Sequence, residues 1–73
     1  MRVSAQYIEG IKEGRAVLNG AKRDSYLTRE WLFGEIAAIE RLRAKLAPLA
    51  NTASEIKFFD GQLDFYRNQL KKV

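Results

Sequence analysis

Residues Ile56–Val73, IKFFDGQLDFYRNQLKKV, carry two apolar strips where a surface helix needs one. Wound at about 100° per residue, Ile56, Phe59, Leu63, Tyr66, Leu70 and Val73 recur at alternating steps of three and four, the a/d spacing of a coiled-coil seam. Phe58 and Phe65 stand off that seam on the neighbouring face, with Gln62 and Gln69 between the strips. The apolar arc covers about half the helix, wider than the ~100° stripe that docks a surface helix once. This helix is therefore expected to touch two things. One is its own bundle; the other, reached through Phe58, Gln62, Phe65, Tyr66, Gln69 and Val73, is a second copy or a partner's helix. The alternative is a small bundle that wraps both faces within one chain.

The remaining side of the stretch gathers Lys57, Asp60, Asp64, Arg67 and Lys71 as a solvated face. Asp60 and Asp64 sit four residues apart beside Lys57 and Arg67, a pattern that reads as a salt-bridged surface rather than an acid/base or metal pair.

Upstream, Thr52 with Glu55 three residues later spells a capping box, and Pro48 disfavours a helical conformation at Ala47. The break at Pro48 reads either as a turn or as a kink in one long helix. The middle segment opens at Thr28, a residue suited to N-capping, with Glu30 in its first turn and Leu27 and Leu32 at hydrophobic-staple positions. Its stripe is Leu32, Ile36, Ile39, Leu42, Leu46 and Leu49, expected as core, with Trp31 at the edge. Glu35 and Arg43 fall inside that arc, where a charge needs an opposite charge or a place at the margin.

The first segment presents Val3, Tyr7, Ile8, Ile11, Val17 and Leu18 on one broad side and ends at Asn19-Gly20, a pair suited to a left-handed C-cap. Gly10 and Gly14 lie within that side. Each costs about 1 kcal/mol against Ala in a helix, so the pair marks a packing notch for a close helix or for the Phe58 or Phe65 ring.

These signals give an all-α fold of one domain over residues 1–73, with helices at about 4–20, 28–47 and 52–72. A small three-helix bundle or helical hairpin with a coiled-coil-like last helix is expected. At 73 residues the core is small, and with no Cys and no His the supplement left to it is oligomerisation or a partner. The same absence removes thiolate and Ser-His chemistry and the commonest transition-metal ligands, and no Gly-rich phosphate loop is present. No enzymatic activity, catalytic residue, cofactor or metal is expected. No apolar run approaches the roughly 20 residues of a membrane span, and the first residues meet charges too early for a signal-peptide core. A cytoplasmic location without membrane contact is expected.

Thirteen basic against nine acidic residues leave a net charge of +4, dispersed rather than striped. Lys22, Arg23, Arg41 and Lys45 are the candidate basic surface, with the Lys71-Lys72 tail as a further contributor. Residues 46–59, LAPLANTASEIKFF, have the outline of a helix-turn-helix, but Phe58, Phe59 and Asp60 stand where base readers are typically Arg, Lys, Asn or Gln. The leading expectation is a small protein–protein interaction module that self-associates and regulates a partner protein by binding it. Inhibitors and antirepressors encoded by phages and mobile elements have this general form. A nucleic-acid-binding helical module and a structural subunit of a larger assembly are the alternatives.

Overall fold

The computed structural model describes residues 4–72, and these form three helices: α1 (Ala5–Arg23), α2 (Arg29–Leu46) and α3 (Ala53–Leu70). Two helix starts follow from side-chain capping. Ser4 accepts from the Tyr7 amide at 3.1 Å and Thr28 accepts from the Trp31 amide at 3.0 Å, each satisfying a backbone donor that the helix leaves open.

α1 runs through Asn19-Gly20 to Arg23 instead of stopping there. Gly20 has no positive φ, and Ala21 is fully buried. Burial of Ala21 outweighs the capping tendency of the pair, and the reversal falls at Ser25, where φ is 62°. The second break is a turn, not a kink. Ala47 stays helical (φ −52°, ψ −42°) and its amide donates to Arg43 O at 2.9 Å, against the expectation set by Pro48. Asn51, at φ 63°, makes the reversal instead. The capping box expected at Thr52 does not form. Its hydroxyl turns back and donates to Leu46 O (2.9 Å) and Leu49 O (3.1 Å), tying down the turn after α2 rather than serving the amides of α3.

α3 is the hub of the bundle. It packs on both other helices, whereas no Cα of α1 comes within 8 Å of α2. Paired positions fix the directions. Gly10 meets Phe58 and Gly14 meets Phe65, so α1 and α3 run parallel. Arg43 meets Asp60, Glu40 meets Arg67 and Arg29 meets Leu70, so α2 and α3 run antiparallel. The core is formed by Leu18, Leu32, Ile36, Ile39, Leu63 and Tyr66, with Leu27, Trp31, Phe59, Phe65 and Leu70 packed around it. Leu27 and Leu32 thus both reach the core, as the staple positions predict.

Candidate interaction surfaces

The two faces of α3 are built by different means. Toward α2, side chains interlock: Leu63 and Tyr66 are buried, and Tyr66 meets Trp31 edge-on with ring centroids 6.1 Å apart. Ion pairs flank this contact, Arg43 Nε to Asp60 at 2.6 Å and Arg67 to Glu40 at 2.8 Å. Between them lies an open groove of about 370 Å³ walled by Glu40, Arg43, Asp60 and Arg67. Its charges are already paired with one another.

Toward α1, backbone meets backbone. A Cβ at Gly10 would fall on the carbonyl of Phe58, and a Cβ at Gly61 would fall on the carbonyl of Tyr7. The two glycines bring the helices close reciprocally, which is what interior glycine offers at a crossing. One turn further on, the Phe65 ring covers Gly14, with Cδ2 2.9 Å from where a Cβ would stand. Gly10 thus lies at a close backbone approach and Gly14 under a ring, both within one chain. The Tyr7 hydroxyl donates to Asp64 at the margin, and this bond raises the Tyr7 pKa above its ordinary value.

The strip expected to reach a second chain is thus largely engaged within this one, Phe65 against α1 and Tyr66 against Trp31 of α2. Gln62 is buried, Tyr66 is fully buried, Phe58, Phe65 and Gln69 are partly buried, and Val73 lies outside the described residues. The apolar arc of α3 packs on both neighbouring helices of the same chain, with Phe58, Phe65 and Gln69 keeping partial exposure. None of the buried side-chain nitrogen or oxygen atoms among the described residues lacks a hydrogen-bond partner.

Exposed apolar side chains remain at Ile8 of α1, at Tyr26 in the first loop and, most of all, on and just after α2, whose stripe is expected as ordinary core. Leu42 and Leu49 are 48% and 56% exposed, and on another flank Phe33 is 51% exposed beneath the Arg29 guanidinium. The stripe from Leu32 to Leu49 is thus buried only in its first half, at Leu32, Ile36 and Ile39. The reason is the position of α1: drawn onto the glycine face of α3, it does not cover the outer flank of α2. The sequence signal for this is incomplete, because α2 carries an interior glycine too, Gly34, and only the fold shows that Gly10 and Gly61 face a neighbouring backbone whereas Gly34 does not.

Of the charges expected to find partners, Arg43 has Asp60. Glu35, partly buried, has no basic group within ion-pair distance among the described residues. It stands with Glu13 of α1 near the Tyr66 ring. Burial first, then these two carboxylates, push the Tyr66 hydroxyl up to about 12.

The four basic candidates do not form one patch. Lys22 and Arg23 close α1, while Arg41 and Lys45 lie in the far half of the antiparallel α2. Because α1 and α3 are parallel, Lys22 and Arg23 instead share an end with Lys71 and Lys72, where two negative helix termini point the same way.

Among the described residues, no group of three or more acidic side chains is placed to hold a metal ion. No described helix is long and apolar enough to cross a membrane. No known protein family, curated protein or solved structure matches the chain.

Proposed function

We propose that this chain is a non-enzymatic protein–protein interaction module that self-associates and regulates a partner protein by covering part of its surface. The observation that carries the reading is the pair of half-exposed leucines at the end of α2, Leu42 in the helix and Leu49 in the turn that follows it. Apolar side chains grouped along one helix, beside a core too small to spare them, favour burial against another chain. The proposed surface is on α2, since Gln62 and Tyr66 of the α3 strip are buried within the chain and the Phe65 ring packs over Gly14. Regulators of the inhibitor or antirepressor type, such as phages and mobile elements encode, are the class that this size and composition suit.

Light-scattering mass after size exclusion, followed across protein concentration, tests self-association. A mass above the monomer's that rises to a plateau is expected. A monomer throughout overturns it, and growth without a plateau replaces it with the structural-subunit reading. Affinity capture with the intact chain and with Leu42→Lys tests partner binding: a protein retained by the native chain and lost with the variant is expected, and equal retention by both overturns the α2 surface as its site.

One observation favours nucleic acid as a second reading, the shared end of Lys22, Arg23, Lys71 and Lys72. The two readings differ in salt. Binding through phosphates weakens steeply between low and physiological ionic strength, whereas apolar docking scarcely responds.

A further inference from the structure

The flank of α2 that α1 leaves open repeats at the spacing of a helix seam. Trp31, Glu35, Ala38, Leu42 and Lys45 follow alternating steps of four and three, and Leu49 continues them in the turn just beyond the helix. At about 100° per residue Trp31, Glu35, Ala38, Leu42 and Lys45 share one side of α2, separate from the centre of the Leu32–Ile36–Ile39 stripe that enters the core. Leu42, Lys45 and Leu49 are exposed, and Trp31, Glu35 and Ala38 are partly buried.

On this seam Glu35 is anomalous for a single chain. It is a partly buried carboxylate without a basic partner among the described residues, and Glu13 is a second negative charge that acts with it on the Tyr66 hydroxyl. A carboxylate in such a place lowers its free energy by gaining a cation. Lys45 lies on the same seam, but about 15 Å along the helix, too far to pair with Glu35 of its own chain.

A two-fold axis crossing α2 between Ala38 and Leu42 removes the mismatch. It lays α2 of a second copy antiparallel on the first. Ala38 then faces Leu42 of the second copy, small against large. Glu35 faces Lys45 of the second copy, and Trp31 faces Leu49. Each layer pairs the two kinds of seam position, and the symmetry operator makes every contact twice. We infer that the chain forms an antiparallel homodimer through this α2 seam, with Glu35 of each copy paired to Lys45 of the other. The inference rests on the self-association proposed above and specifies its surface.

Charge reversal in the full-length chain tests it by sedimentation equilibrium, with helicity checked by circular dichroism. Glu35→Lys and Lys45→Glu each turn two symmetry-related attractions into repulsions, and each is expected to weaken dimerisation by about tenfold. The double variant restores the pairs with their signs exchanged and is expected to return to within about threefold of the native constant. Lys45 is exposed, so Lys45→Glu reports on the dimer even where Glu35→Lys perturbs folding. A native dimer insensitive to the single reversals, or a double variant no better than the singles, overturns the α2 seam and leaves self-association standing. A native chain that is monomeric at every concentration overturns both.

Discussion

α3 holds its two neighbours by opposite means. Against α2 it offers bulk: a fully buried Tyr66, a nearly buried Leu63 and the Trp31 edge, with ion pairs at the rim. Against α1 it offers absence, since Gly61 and Gly10 let each backbone occupy the space a methyl group would need. The first kind of contact gains from every added carbon until the space is full, and the second tolerates none at its centre. The two faces of one helix therefore respond oppositely to enlarging and truncating mutations, and this gives a means of separating them.

The largest expected effect comes from truncating the side-chain interface. Leu32 is completely buried, so Leu32→Ala removes packing that the backbone cannot refill and is expected to cost about 3 kcal/mol in urea unfolding. Gly61→Ala attacks the other interface with the addition of one methyl group. It sets a Cβ against the Tyr7 carbonyl, which belongs to a helical backbone and cannot turn aside, and about 2 kcal/mol is expected to be lost. Amide hydrogen exchange sharpens the comparison: α1 should lose protection while α2 and α3 retain theirs. Equal loss in all three helices would show that the interfaces are not separable.

Tyr66 sits where the two interfaces meet, and pH probes it. Its hydroxyl titrates at about 12 in the folded chain against an ordinary value of 10.0. Between those values the unfolded chain holds fewer protons, so stability is complete below pH 10 and falls as pH rises toward 12, by about 2 kcal/mol. Tyr7 shifts in the same direction, so the difference between native chain and Tyr66→Phe in alkaline denaturation isolates the Tyr66 contribution. The smallest effect is a gain. A Cβ at Gly34 meets nothing within 4 Å, and Gly34→Ala is expected to stabilise the chain by about 0.5–1 kcal/mol in thermal unfolding.

The helices themselves were legible because their signals are local. Thr28 caps α2 as its position predicts, and Phe59, Leu63, Tyr66 and Leu70 of the a/d strip do face the core. Signals with two physical outlets were read the wrong way. The Thr52 hydroxyl serves carbonyls behind it instead of amides ahead, and Asn19-Gly20 continues a helix that Ala21 needs for its burial. The two strips of α3 were visible too, but periodicity cannot say whether a second strip meets the same chain or another. That choice lies in the glycines, whose value depends on facing one another across the fold. Leu42 looked like core for the same reason: its burial depends on where α1 goes.

The parallel course of α1 and α3 also governs how this molecule can be rewired. Ser4 begins one of these helices and Lys72 follows the end of the other, so the described ends lie at opposite poles, roughly 25 Å apart along the helix direction. Many domains bring their ends together and accept circular permutation for that reason. Here a permuted chain would need a linker along the full length of the bundle, whereas copies fused head to tail would join with little strain and string the units into a rod.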